Sequence, residues 1–485
     1  MKIRSILLLC FLSGIATFLV SCSISPVESQ RDPAIVDTED DSSPSEDDSL
    51  VIWWQQSFVS QGNEEIAGLV QEWEKKSGIK TTLKLKSEAI YEQLESSFAP
   101  GLYRNIAQGN APDIITIVDL IEIVPQLAWE GKLADVSDVI EPIADSFYPG
   151  ALDAVNYLNS TLGDRSFYAI PMGIGTHNIH YWKPYLNRLG LTDSDIPQDW
   201  HGFWQFWQDV RDRLHQLGEK EISSFCITLN KEASDGTEAF LQFLHGHNGN
   251  IFDREGRFVL DLPENRQALI NALSQLYILH RNGYIPPESM EWTNADNNFY
   301  FLDRQCLLVT NGTLSIPVTQ KQADNPYTQK VRNRYMNEIV TMSSWPNTVK
   351  GSPLKIFIGQ SFLVYSFVPA NAKRPEAAKQ FLAYLLQPEN LQLLIEQEKG
   401  RFLPPMPELL HTSLWQKPDP HLAAVESLSA ENIQAYPTIL NPAYAKISKK
   451  KIFTTALERV IQEGVSPEEA ADDAIAQIQD IINHY

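Results

Sequence analysis

The 485-residue chain is short of basic residues: 39 Lys and Arg stand against 61 Asp and Glu, giving a net charge of −22, and the cations form no long stripe. Binding to nucleic acid or anionic lipid by charge is disfavoured, because holding phosphates in bulk needs clustered cations. Catalytic signatures are missing too. There is no G-x-S-x-G elbow, no H-E-x-x-H, no Walker-type phosphate loop and no dinucleotide fingerprint. The chain is therefore expected not to be an enzyme and to need no cofactor, although its many carboxylates leave a glycosidase-like pair open. No metal site is expected either, since His245-Gly246-His247 has a spacing of two inside a Gly- and Asn-rich turn, more in keeping with a surface loop. Cysteine is scarce, at four residues. Cys226 and Cys306 lie far from the other two and could pair in an oxidising compartment, but they lack the spacing of a zinc or redox motif. Long apolar runs are absent, and Ile6 to Val20 is too short and too soon interrupted for an ordinary membrane span.

What is present begins with a processing signal. Lys2 and Arg4 precede that apolar run, which ends Leu19-Val20-Ser21-Cys22. This closely resembles a bacterial lipobox. In such signals the peptide is cut before the cysteine, which then carries acyl chains, so residues 1–21 would be removed and Cys22 would be the lipidated first residue. The alternative is a plain secretory peptide with an incidental cysteine. Residues 22–49 are rich in Ser, Pro, Asp and Glu without an apolar period, and are expected to form an acidic, disordered tether. The folded part would then be extracytoplasmic and lipid-anchored, in the periplasm of a two-membrane cell or on the outer surface otherwise.

From Leu50 the pattern is that of a folded α/β protein. LVIWWQQ is a β-type run, and Ile66, Leu69, Val70 and Trp73 share a helical face ending at Gly78. Residues 79–86 alternate as a strand, residues 87–98 suit a second helix, and Ile114 to Val118 is a buried strand with Asp119 at its carboxyl end. Strand, helix, strand, helix implies a parallel sheet covered by helices, whose ligands gather at strand C-termini. At 485 residues two bodies are expected. Phe167 to Trp182, FYAIPMGIGTHNIHYW, breaks at Pro171, passes Gly173 and Gly175, and resumes as an apolar run. That is how a chain crosses between bodies, which makes Met172, His177 and Asn178 candidates to line a pocket; an ordinary buried strand with a Gly-rich turn is the alternative. Farther on, Phe203, Trp207, Val210, Leu214 and Leu217 share a helical face, so most of that aromatic cluster is expected in the core.

Several segments together resemble the large two-lobed solute-binding proteins of ABC importers, in the maltodextrin and sugar-binding branch. GNAPDII with LAWEGKL, FYAIP with IHYWKPYLNRLGL, IPQDWHGFWQFWQDVRDRL, NGNIFDREGRF, FYFLDRQCLLVTNGTL, KIFIGQSFLVYSF with RPEAAKQFLAYLLQPENLQLL, and GRFLPPMPELL occur in that family's order. The likeness spans Leu50 to Tyr485, while residues 320–350 and the double Trp at 53 and 54 match no pattern of the family. It implies a periplasmic-binding-protein-like fold, each lobe an open sheet flanked by helices, joined by a multi-crossing hinge. Residues 50–168 plus 357–403 would make lobe 1, and 169–356 plus 404–485 lobe 2.

The resemblance further implies a monomeric receptor that binds a small-molecule solute, a sugar or oligosaccharide, between the lobes and delivers it to ABC permease subunits driven by a cytoplasmic ATPase. A secreted carbohydrate-active enzyme or a sensor-associated binding lipoprotein is the alternative. Sugar pockets combine aromatic faces with fixed donors and acceptors. Trp53, Trp54, Gln55 and Ser57 follow the first strand, where the family's first lobe contacts ligand; because strand residues alternate, at most one of the two Trp faces the ligand. Asp119 completes that wall. The second lobe would offer Asn311 and Gly312, where relatives often carry Gly-Trp, with Trp292 as the substitute aromatic platform. Gly359 and Gln360 stand where the family has paired glycines facing the ligand.

Overall fold

A computed structural model describes residues 49–57, 60–86, 111–118, 124–175, 177–321, 328–354, 356–358, 363–426, 433–435, 439 and 441–485. Cys22, the tether, the helix expected over residues 87–98, Asp119, Gly359 and Gln360 lie outside the described residues. In chain order the described strands are β1 (Leu50–Gln55), β2 (Thr81–Lys86), β3 (Ile114–Val118), β4 (Asn156–Asn159), β5 (Asp164–Phe167), β6 (Ile170–Ile174), β7 (Asn178–Trp182), β8 (Ser223–Cys226), β9 (Cys306–Asn311), β10 (Ile339–Thr341), β11 (Ile356–Ile358), β12 (Leu363–Phe367) and β13 (Ile433–Ala435).

Two sheets organise them. The first has the order β2-β1-β3-β12-β6, with β1 parallel to β2 and β3, and β12 antiparallel to β3 and β6. The second has the order β10-β7-β9-β8, with β7 antiparallel to β10 and β9, and β8 parallel to β9. The expectation of a parallel sheet thus holds for β1 to β3, and the returning strands make both sheets mixed. Pro171 does not break the chain as the sequence suggests. It sits inside β6, an edge strand, where a residue without an amide donor is tolerated, opposite a register shift between Val364 and Tyr365.

Helical periodicity is realised closely. The helix Ser60–Ser77 buries Ile66, Leu69, Val70 and Trp73 and stops at Gly78, whose φ of +70° suits a residue without Cβ. The helix Trp200–Gln216 starts at Asp199, whose side chain accepts the Gly202 amide at 2.8 Å, and buries Trp200, Phe203, Trp204 and Trp207. Leu217 departs from expectation: it follows the last helical turn and is 55% exposed.

Each sheet has its own apolar core. One contains Leu50 to Ile174, Leu314, Val318 and Leu363 to Ile439; the other contains Ile179 to Leu308, Trp345 and Ala443 to Ile481. These memberships put chain crossings near residues 175–177, between Leu308 and Leu314, between Val318 and Trp345, between Trp345 and Leu363, and between Ile439 and Ala443, where sequence alone put them at 168/169, 356/357 and 403/404. The difference has a packing cause, because Met406, Leu409, Trp415, Leu422 and Val425 bury themselves in the first core. Two-stranded ribbons, β4 with β5 and β11 with β13, complete the described sheets.

Cys226 and Cys306 form a disulfide between the neighbouring strands β8 and β9, buried beside Trp182 and Phe301. It closes a loop with a sequence separation of 80, so it removes substantial freedom from the unfolded chain. Replacing both cysteines with Ser should lower unfolding free energy by about 2–4 kcal/mol, read from guanidinium titration. Equal midpoints for the variant and the oxidised parent would show that strand pairing alone holds this sheet.

Candidate functional site

β1 and β3 end on the same edge of the first sheet, and their ends are tied together by a side chain. Gln55 Oε1 accepts the Val118 amide at 2.7 Å. The chain then turns onto the first turn of the helix Ser60–Ser77: the Ser57 amide donates to Asn63 Oδ1 at 3.0 Å, and Asn63 Nδ2 donates back to the Ser57 carbonyl at 3.1 Å. Alternation along β1 separates the two indoles. Trp53 lies under Lys86, with Nζ 4.8 Å from its ring centroid, whereas Trp54 lines a cavity.

That cavity, of about 60 Å³, collects Trp54, Gln55, Gln56 and Ser57 from the β1 turn and Met172 and Gly173 from β6. Gly62, the end of β3 and Val364 of β12 also line it, and the opposite wall is the C-terminal part of the helix Pro388–Gln397 with the segment after it, including Glu398, Arg401 and Phe402. Glu398 Oε2 and Arg401 Nη1 are 3.9 Å apart, with side chains 16% and 8% exposed, and the guanidinium lies 4.8 Å from the Phe402 ring centroid. Both side chains are largely removed from water. A Cβ on Gly62 would come 3.0 Å from Glu398 Oε1, so the carboxylate rests directly on the first turn of the helix Ser60–Ser77. Anions are favoured at such helix starts.

The other expected residues lie at the join between the sheets. His177 has φ of +44°, its amide donates to the Gly312 carbonyl at 3.3 Å, and its carbonyl accepts Trp345 Nε1 at 2.7 Å. Its imidazole lies tilted against Trp345, with ring centroids 5.5 Å apart, and comes within 3.5 Å of Glu238. Asn178 and Asn311 are cross-strand partners. The Asn311 amide is held locally: Nδ2 donates to Asn298 at 2.5 Å, and Oδ1 accepts from the Thr313 amide and Ser315 hydroxyl.

Trp292 stands apart. It is 3% exposed and packs 4.4 Å from Tyr300 in the cluster around the disulfide, so its indole offers no open platform in this structure. The structure therefore brings Trp54, Gln55, Ser57 and Met172 into one cavity, sets His177, Asn178, Asn311 and Gly312 at the join, and leaves Trp53 and Trp292 outside both. Sequence analysis missed Glu398, Arg401, Phe402 and Trp345 as neighbours of these places. In GRFLPPMPELL the signal is a charged residue at the head of an apolar run. The surface loop expected at His245-Gly246-His247 is not what forms: His245 is buried in the last turn of the helix Ser234–Gly246 and bonds to the Gly249 carbonyl, and His247 follows the helix and bonds to Gln275.

Against known proteins, the model of the bacterial extracellular solute-binding proteins matches residues 70–424. The Escherichia coli protein YcjN, described as an ABC transporter periplasmic-binding protein, is 23% identical over 314 residues, 64% of each chain. The chain thus spans about two thirds, at 64%, of the length of that relative. Among solved structures, a Thermotoga lettingae solute-binding protein bound with α-D-tagatose superposes with a TM-score of 0.68 at 17% identity, covering 90% of this chain and 99% of that one. Maltose-bound MalE3 of T. maritima gives 0.68 at 15%, covering 89% and 99%. A sugar transporter structure from Arthrobacter chlorophenolicus with laminaribiose gives 0.67 at 16%, with the same coverage. The fold is two-lobed and α/β, as the resemblance implied.

Burial at and around the join has a consequence for acid stability. It pushes the His177 imidazole down to about 4, His180 to about 3 and His245 to about 4, all neutral in the folded protein at pH 7. The unfolded chain takes up these protons near pH 6.5, so stability is full above that pH and is lost as pH falls toward the folded values. Each histidine should contribute a slope of about 1.4 kcal/mol per pH unit in that window. Urea titrations at pH 7.5 and 5 should therefore differ by several kcal/mol, and His245→Gln should flatten the difference; equal stabilities would mean that these imidazoles are wet.

Proposed function

The chain belongs to the bacterial extracellular solute-binding proteins, and from that membership we propose that it is a lipid-anchored receptor that takes a sugar or oligosaccharide between its lobes and delivers it to an ABC permease. The observation that carries the choice of sugar is the cavity at the ends of β1 and β3. It sets one indole, Trp54, beside amide, hydroxyl and charged groups, which is what a ring with apolar C–H faces and polar hydroxyl edges requires. The similar structures bound with tagatose, maltose or laminaribiose support the same class.

Binding without turnover is the proposed chemistry. Glycoside hydrolysis needs two carboxylates flanking the scissile bond, and Glu398 alone among the described lining residues is a carboxylate. Asp119, Gly359 and Gln360 stay candidate contacts by resemblance, and Asn178, Asn311 and Gly312 are the proposed second-lobe contribution. Closure follows if the solute touches both lobes, since a ligand shifts an equilibrium only through its differential affinity for the two forms.

Two experiments test this. A thermal-shift screen of neutral sugars should raise the melting temperature by mass action, Trp54→Ala should weaken the best hit about tenfold or more without changing the unliganded melting temperature, and scattering should report a smaller radius of gyration at saturation. Tight binding with an unchanged radius would overturn closure, and unchanged affinity in Trp54→Ala would overturn the site. Separately, Cys22→Ala should abolish acylation and release the protein from membranes, because stable anchoring takes more than one chain. Mass spectrometry finding Cys22 unmodified in the parent would remove the anchor from the proposal.

A further inference from the structure

We propose that the first-lobe cavity holds one neutral sugar ring and rejects anionic sugars, with Glu398 and Arg401 as its specificity-determining residues; this rests on the receptor function proposed above. Size comes first. At roughly 10–15 Å³ of such space per water, a cavity of about 60 Å³ takes about four to six waters, close to the bulk of a single sugar ring. Trp54 and Phe402 lie on its apolar wall.

Charge decides the chemistry. Several polar groups of the lining are already committed to the fold: Gln55 Oε1 accepts from Val118, Thr116 Oγ1 bonds Ser366 at 2.7 Å, and the Ser57 backbone is tied to Asn63. Glu398 and Arg401 are the charged members, opposite in sign, 3.9 Å apart and largely withdrawn from water. A hydroxyl is donor and acceptor at once, so it donates to the carboxylate while accepting from the guanidinium and leaves the pair's neutrality intact. A uronate or phosphosugar could bond Arg401, but only by bringing a second negative charge beside Glu398 in a poorly solvated space, a like-charge contact that selects against it. The carboxylate has little room to withdraw, because it rests on Gly62 at the start of a helix.

The full chain in detergent is titrated with D-glucose, D-galactose, D-tagatose, maltose and laminaribiose, and with D-glucuronate, D-galacturonate and glucose 6-phosphate. At least one neutral sugar is expected to bind, with every anionic one weaker by about tenfold or more; Glu398→Gln should weaken the neutral sugar about tenfold and narrow the gap to the acids, the scale of losing one charge-assisted hydrogen bond. Should Glu398→Gln fold poorly, Arg401→Lys keeps the net charge and should weaken neutral sugars while preserving rejection of the acids. Neutral binding accompanied by equal binding of glucuronate, or by an unchanged ratio in Glu398→Gln, overturns the selectivity and leaves the receptor standing. Failure of every sugar, neutral and anionic, overturns both.

Discussion

Three stretches of backbone are tied by main-chain hydrogen bonds, and two of them, residues 174–177 and 312–314, run between the two sheets. Ile174 and Leu403 exchange amide and carbonyl at 2.8 Å in both directions, the His177 amide donates to the Gly312 carbonyl at 3.3 Å, and the Leu314 amide donates to the Arg401 carbonyl at 3.2 Å. β6 ends and β7 begins on one of these stretches, and β9 ends on another. Rotation of one sheet against the other must be absorbed by the few φ and ψ angles between these bonds, which is how a hinge permits one motion and resists others. Gly173 belongs to the same arrangement. A Cβ there would meet Phe402 Cβ and Val364 Cγ2 at 3.3 Å, so the close approach of the stretches depends on its having none.

Much of this architecture could be read before any coordinates. The helices Ser60–Ser77 and Trp200–Gln216 and the strands β1 and β3 follow from local period and composition, which are properties of a dozen consecutive residues. The cavity was half legible for the same reason, since Trp54, Gln55 and Ser57 are consecutive with β1. Glu398 and Arg401 were not, because more than three hundred positions separate them from Trp54 and only tertiary packing of the helix Pro388–Gln397 on the helix Ser60–Ser77 brings them together. Nor does a sequence say which side of a strand is sealed. Trp53 and Trp54 are told apart by Lys86, and Trp292 is withdrawn by Tyr300 and the disulfide cluster, contacts that no spacing rule contains. Pro171 misled for a related reason, in that proline breaks a central strand but is tolerated at an edge, and edge position belongs to the whole sheet.

Arg401 connects the two themes. Its side chain lines the cavity while its carbonyl accepts the Leu314 amide, so a group bound against the guanidinium touches the same residue that fastens the hinge. Contact alone does not drive closure, however. Every residue lining the cavity belongs to the first sheet or to elements packed on it, and a ligand seated only there meets the same wall however the second sheet is turned. Moving an equilibrium from 1:99 to 99:1 needs about 5.5 kcal/mol of differential binding, none of which a wall common to both forms supplies. Under the proposed function the cavity would set affinity and selectivity, whereas closure would draw on the part of a solute that projects beyond it toward the join, where His177 and Trp345 are packed together. On the function proposed above, ring recognition would fall to the first sheet and lobe rotation to contacts at the join, with the Arg401 carbonyl holding Leu314, where the chain coming from β9 enters the first core.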